Sequence, residues 1–309
     1  MNNFDEKLVI AVSSRALFDL EDEHALFEKE GFRAYRRYQL AHKDVPLRPG
    51  VAFPFVKRLL NLNSRFGDLE PFQVVALSRN SPETAQRFFR SCRYYELPIK
   101  AGAFTSGQST YPYINAFNVS LFLSANPESV RHSLDAGHPA GLVMPSSIHE
   151  DDDGQSLRIA FDFDGVIADD ESEITYQTSG IDAFHKLEQD KAETPHTPGP
   201  LGRLFSRLSE FQRLDYELHG KENPYFEPAI SISIVTSRGT PSEERLITTL
   251  KQLGMNAAEL FLLDGLSKKP FLETIRPHIF FDDQTNHLEK SADVVPSVLV
   301  PFGIHNKKN

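Results

Sequence analysis

Two aspartates one residue apart, Asp162 and Asp164, close the run Arg-Ile-Ala-Phe-Asp-Phe-Asp-Gly at positions 158–165. In an extended strand, residues i and i+2 share a face, so both carboxylates can leave the strand end toward one point. Acids held that close raise each other's pKa unless a cation intervenes, and a hard ion such as Mg²⁺ suits all-oxygen ligands. A lone Asp-x-Asp-Gly reads more simply as a turn whose aspartate caps the following amides. The company the pair keeps therefore decides its meaning.

Three further stretches follow in order. Ile230 to Thr236 is an apolar run ending in a hydroxyl, and Ser237 and Arg238 come next. A hydroxyl beside the free N–H groups of a helix start can hold a phosphate oxygen, although alone Thr236 reads as a helix cap. Lys268 and Lys269 precede a short helical run, where an ammonium can neutralise phosphoryl charge; in isolation a lysine pair is ordinary surface. Finally, the apolar run His278 to Phe281 ends in Asp282 and Asp283. Adjacent acids at the end of an uncharged strand are costly unless solvated or coordinated, which marks a candidate metal site.

The elements that must position these residues occur twice. At an offset of 149 residues, Leu8, Ile10 and Ala11 fall on Leu157, Ile159 and Ala160, Gly31 on Gly180, and Pro49-Gly50 on Pro198-Gly199. Backbone-restricting residues in register point to repetition rather than to chance composition. Further along, the offset reads as 159 at Ser78-Arg79 against Ser237-Arg238, then 158 at Pro112 against Pro270, with an insertion near Leu218 to Glu227. Two domains are expected, 1–150 and 151–309, each running strand, helices, strand, helix, strand. The strands are Leu8 to Ser13, Phe72 to Leu77 and Val119 to Leu123, then Leu157 to Phe163, Ile230 to Thr236 and His278 to Phe281. β-rich runs alternating with helices predict an α/β fold on a parallel sheet, which binds ligands at the carboxyl ends of its strands.

The first half lacks the acids. Ser13 falls opposite Asp162, Arg15 opposite Asp164, Leu77 opposite Thr236, Thr110 opposite Lys268, and Ser124-Ala125 opposite Asp282-Asp283. A lid, an oligomer interface and an effector site are all open to it, and Arg15 suits an anion or a surface ion pair. In the second half, residues 171–191 read as helical with a break at 194–200, so a small helical cap is expected over about 169–228. Phe184 and His185 are candidates to meet a substrate there, Phe184 being better suited to the core.

The bulk properties narrow the function. The net charge of −10 is the wrong sign for a nucleic-acid polymer partner. No run of about 18 apolar residues occurs and the first residues are polar, so no membrane span or signal peptide is expected, and a soluble cytoplasmic protein is. Cys92, the single cysteine, lies on an amphipathic helical pattern and reads as packing.

Taken together, the Asp-x-Asp pair, the strand-end Thr236, Lys268 and the terminal Asp282-Asp283 resemble the four motifs of haloacid-dehalogenase phosphatases. Whole segments also resemble the cytosolic 5′-nucleotidase type I family: Ala-Val-Ser-Ser-Arg-Ala-Leu-Phe-Asp at 11–19, Phe-Pro-Phe-Val-Lys at 53–57 and Ile-Arg-Pro-His-Ile-Phe-Phe-Asp-Asp-Gln at 275–284. The resemblance implies two tandem haloacid-dehalogenase-like, Rossmann-type domains, the first catalytically degenerate, and Mg²⁺-dependent hydrolysis of AMP-like nucleoside monophosphates. It makes Asp162 the nucleophile and Asp164 the acid and base. Thr236 and Lys268 would hold phosphoryl oxygens, with Phe163, Gly165, Ser237 and Arg238 contacting the substrate. Asp162, Asp164, Asp282 and Asp283 would serve the metal. A sugar-phosphate phosphatase, a nucleoside phosphotransferase and a non-catalytic nucleotide-binding regulator remain as alternatives, and assembly into a homo-oligomer stays open.

Overall fold

A computed structural model describes residues 7–146 and 156–306. The chain divides into two compact units, one from each half of the sequence. The first contains β1 (Leu8–Val12), β2 (Phe18–Asp19), β3 (Arg48–Pro49), β4 (Phe72–Ser78), β5 (Ala101–Phe104), β6 (Val119–Ser124) and β7 (Ala140–Val143). Its main strands lie in the order β7-β6-β1-β4-β5, all parallel, while β2 and β3 form a small antiparallel pair. The second contains β8 (Leu157–Phe161), β9 (Ile230–Thr236), β10 (Glu259–Leu262), β11 (Ile279–Asp282) and β12 (Ser297–Leu299), in the parallel order β10-β9-β8-β11-β12.

Each unit is thus α/β, built on parallel strands, as the alternation of strand and helix patterns implied. Every residue of β1 is buried, and so is β8 apart from Arg158. Such unbroken burial is what a central strand covered by helices on both faces requires.

The repeat extends to individual hydrogen bonds. Nε of Arg87 donates to the Val45 carbonyl at 2.9 Å, and Nε of Arg245 to that of Thr194 at 3.1 Å. The Leu47 amide donates to Ser91 Oγ at 2.9 Å, and the His196 amide to Thr249 Oγ1 at 3.0 Å. Gly31 and Gly180 both interrupt their helices at positive φ, 78° and 82°. The spacing is 149 residues before β4 and β9, and 158 from those strands onward.

One alignment step is corrected by this register. Val12 pairs with Ala76 and Phe161 with Ile234, so the residue matching Thr236 is Ser78, not Leu77. The Asn80 amide donates to Ser78 Oγ at 3.2 Å, and the Arg238 amide to Thr236 Oγ1 at the same distance. Arg238 therefore corresponds to Asn80, and Ser237 to Arg79. The repeated Ser-Arg dipeptide misled the sequence comparison by one residue, because identical letters outweighed the ladder register.

The stretch 171–215 holds helices Glu171–Ser179, Ile181–Asp190 and Gly202–Asp215, followed by a π-turn at Tyr216–Gly220. Its counterparts in the first unit are helices Glu21–Ala41 and Phe53–Asn61. Cys92 is buried on helix Ala85–Tyr94, where loss of solvation pushes its thiol up to about 12 and keeps it inert.

Candidate active site

β8 lies between β9 and β11, and all three run the same way, so their carboxyl ends converge. Asp162 leaves β8, Thr236 ends β9 and Asp282 ends β11. Beneath them Phe161 stacks on Phe281 at 5.1 Å and on Phe205 at 5.4 Å, an apolar floor that keeps water from the lower side.

Lys268 binds the strand ends together. Its Nζ is 2.6 Å from Asp162 Oδ2 and 2.6 Å from Asp282 Oδ2, and its side chain is 2% exposed. Burial would favour the neutral amine, but the two carboxylates outweigh it and hold the ammonium. Lys269 points the other way and pairs with Asp293 on the surface at 2.7 Å.

The acids differ in environment. Burial pushes Asp162 up to about 6; Lys268 opposes this, and repulsion from Asp282 and Asp164 adds to it. Asp282 is also buried, yet Lys268 and His287 hold its carboxyl below the ordinary value, with His287 Nδ1 at 3.2 Å. Among the described residues no cation pairs with Asp283, and burial plus the charges of Asp162 and Asp282 pushes it up to about 10. Its Oδ1 is buried without a hydrogen-bond partner. Gly165 sits against it at φ +69°, where a Cβ would lie 2.6 Å from Asp283 Oδ2.

Asp164 is gripped from the opposite side. Arg238 donates from Nε and Nη2 to its two carboxylate oxygens, each at 2.7 Å, in a planar fork. The same guanidinium pairs with Glu188, lies 3.3 Å from His196 Nε2, and rests over the rings of Phe163 and Phe184 at 5.0 and 5.5 Å. Glu188 also accepts from Ser172 Oγ at 2.6 Å and Arg245 Nη1 at 3.0 Å, and Arg245 reaches Glu171 at 2.8 Å. Burial works against the Glu188 carboxylate, but His196, Arg238 and Ser172 more than compensate and hold it well below the usual range.

The sequence-marked residues thus assemble in two groups. Asp162, Lys268, Asp282 and Asp283 form one, Asp164 and Arg238 the other, and Gly165 lies against the first. Thr236 is buried with its hydroxyl accepting the Arg238 amide, and Ser237 is half-buried at the exit of β9. The Phe163 amide donates to Asp162 Oδ1 at 2.7 Å, and the Gly165 amide to the Asp169 carbonyl at 3.3 Å. Arg238, grouped by the sequence reading with substrate contacts, has its guanidinium committed to Asp164 and Glu188. Glu188, His196, Arg245 and His287 were not picked out from sequence. The recurrence of Arg87 at Arg245 was a usable signal for one of them.

The residues fit a divalent cation. Asp162 and Asp282 meet Lys268 and Asp164 meets the Arg238 fork, the buried Asp283 Oδ1 lacks a partner, and ligand atoms of Asp162, Asp282 and His287 lie within 4.8 Å of one another. A set this rich in oxygen and short of positive charge suits a hard ion such as Mg²⁺.

Comparison with known proteins shows the family. The model of the 5′-nucleotidase family matches residues 1–307, and the chain belongs to that family. Human cytosolic 5′-nucleotidase 1B is 33% identical over 288 residues, which cover 91% of this chain and 47% of the relative. The chain therefore spans about half the length of that protein. An S. aureus MnaA–UDP structure aligns over 93% of this chain and 76% of its own at 9% identity, but its TM-score of 0.18 carries no argument. Among the described residues, no helix is long and apolar enough to cross a membrane.

Proposed function

We propose that the chain is a Mg²⁺-dependent phosphatase that hydrolyses nucleoside 5′-monophosphates through an aspartyl-phosphate on Asp162. The observation that carries this reading is Lys268, held at 2.6 Å from both Asp162 and Asp282 beside the unpartnered Asp283. Family membership supplies the substrate class.

In the first half-reaction a carboxylate oxygen of Asp162 attacks phosphorus and the bond to the sugar 5′-oxygen breaks. Asp164 donates the proton that the departing oxygen needs. In the second, Asp164 takes a proton from water, the water oxygen attacks phosphorus, and the bond to Asp162 breaks to release inorganic phosphate. Lys268 and Thr236 hold the phosphoryl oxygens as charge builds, with Ser237 and the Phe163 and Gly165 amides at the same rim. Asp162, the Asp164 carbonyl, Asp282 and Asp283 would hold Mg²⁺, which when bound supplies the positive charge that four carboxylates and a phosphate together require.

Arg238 acts here as a positioning residue rather than a substrate ligand. Both Asp164 oxygens accept from it, and the second lone pair on each is left to serve a leaving group or water. The first unit supports this division of labour. Arg87 keeps the place of Arg245, whereas Asn80 stands for Arg238 and Gln39 for Glu188, so both charges behind Asp164 are absent where that acid is absent. On this reading the first unit is a catalytically silent copy, and the helices at 171–190 form the roof behind Asp164, with Phe184 as part of their core.

The test is phosphate release from a panel of ribo- and deoxynucleoside monophosphates and sugar phosphates, with Mg²⁺ or EDTA, for the native chain and Asp162→Asn. Release from nucleotides that needs Mg²⁺ and falls about 10³-fold or more in the variant is expected. Undiminished release by a folded Asp162→Asn would overturn the mechanism.

A further inference from the structure

The first unit contains a cavity of about 450 Å³. It opens at the carboxyl ends of β1, β4 and β6, lined by Ser13, Ser78 and Ser124, which are the positions taken in the second unit by Asp162, Thr236 and Asp282. The volume falls in the range of about 300–1,000 Å³ typical of small-molecule sites. The acids have been lost while the hollow that a substrate would occupy has been kept.

Its charge is inverted. Arg15 and Arg79 line it, and among the described residues no carboxylate does. Arg15 pairs with Glu21 at 2.8 Å and Arg79 with Glu128 at 3.1 Å, but these are surface pairs, with the two glutamates 69% and 62% exposed. Exposed pairs of this kind contribute little and exchange readily for another anion. Nε of Arg15 is buried without a hydrogen-bond partner, so this guanidinium has a donor to spare.

The lining is also aromatic. Helix Glu21–Ala41 presents Phe27, Phe32 and Tyr35, with His24 stacked on Phe27 at 6.3 Å. Phe27 and Phe32 are 42% and 45% exposed, which leaves two apolar rings facing the hollow and solvent. Two guanidinium groups, flat rings and hydroxyls in one lining match a phosphate monoester that carries a planar base.

We propose that this cavity is a second, non-hydrolytic site for a nucleoside monophosphate. Ser13 stands where the nucleophile would be, and its hydroxyl accepts from the Ala16 and Ala125 amides at 3.2 and 3.3 Å, so it orders the loop and the bound phosphoester is not cleaved. With Arg15 in place of an acid and Arg79 added to the lining, the site takes an anion without a metal. This binding does not depend on the second unit being a phosphatase.

The experiment is calorimetric titration of the full chain with AMP in EDTA, where metal-dependent turnover is off, with inorganic phosphate and adenosine as separate arms. Saturable AMP binding is expected, at least tenfold tighter than either phosphate or adenosine. One equivalent should be lost, or weakened at least tenfold, in the Arg15→Ala/Arg79→Ala double variant. Phe32→Ala should weaken AMP while leaving phosphate unchanged, and this exposed position keeps the test available should the double variant fold poorly. Absence of saturable AMP binding, a number and affinity of AMP sites unchanged by these substitutions, or phosphate binding as tightly as AMP each overturns the proposal. Phosphate release in Mg²⁺ reads the second unit separately, so the two readings can fail independently.

Discussion

Arg238 holds Asp164 by two hydrogen bonds of 2.7 Å, one to each carboxylate oxygen, and the arginine is itself anchored to the buried Glu188. The fork fixes the plane of the Asp164 carboxylate as well as its distance, which a point charge cannot do. Lysine at 238 keeps the charge and loses the plane. Arg238→Lys is therefore expected to lower kcat by about 10- to 100-fold, less than the roughly 10²–10⁴-fold that complete loss of a positioned acid or base costs, with a much smaller change in KM. Steady-state phosphate release measures both. A rise in KM at constant kcat would instead return Arg238 to the substrate.

Lys268 is the cation in contact with both Asp162 and Asp282, and all three side chains are nearly inaccessible. Removing one partner of a buried charge set leaves the others uncompensated, at a cost of about 3–5 kcal/mol. Lys268→Ala is expected to lose that much stability in urea unfolding without Mg²⁺. Lys269→Ala, which removes only a surface pair, should leave the urea midpoint close to that of the native chain.

Glu188 makes acid sensitivity a property of this site. Its folded carboxyl titrates below the ordinary glutamate value of about 4.3, so its stabilising contribution is complete above that pH and fades as pH falls toward the folded value. Glu188→Gln should be clearly less stable than the native chain at pH 7, and the gap should narrow steadily below about pH 4. Urea midpoints across pH 3–7 give the comparison; a gap independent of pH would exclude the assignment.

Gly165 packs against Asp283 at positive φ. Alanine there meets both a backbone penalty and a carboxylate oxygen at 2.6 Å, so Gly165→Ala should cost about 1–3 kcal/mol and displace Asp283. Turnover should fall with it, and raising Mg²⁺ should recover part of the loss. Gly254→Ala is the control, since its φ is also positive but nothing lies within 4 Å of the added Cβ.

Much of this architecture was legible in the sequence because it rests on local signals. Apolar runs ending in an acid or a hydroxyl marked β8, β9 and β11, and the parallel α/β class followed from strand and helix patterns in alternation. The outer strands Ala101–Phe104, Ala140–Val143, Glu259–Leu262 and Ser297–Leu299 escaped notice. They are three or four residues long, and Ala-Gly-Ala-Phe or Ala-Gly-Leu-Val carries little intrinsic strand preference, so pairing with a neighbour makes them strands.

By itself the sequence determined which side chains stand at the strand ends, that each half carries the same frame, and that acids are confined to one of them. Residue type and spacing along the chain suffice for that. Only the tertiary structure decided that Ser78 rather than Leu77 matches Thr236, since register is a property of ladder hydrogen bonds rather than of matching letters. It also decided that Lys268 and not Lys269 enters the site, because helix Lys269–Ile275 begins between them and sends adjacent side chains in different directions. Burial lies equally beyond the sequence. Glu188 is an ordinary helix glutamate until Arg238 and Arg245 close over it, and Asp283 is an ordinary acid until folding removes its water and leaves it facing Asp162.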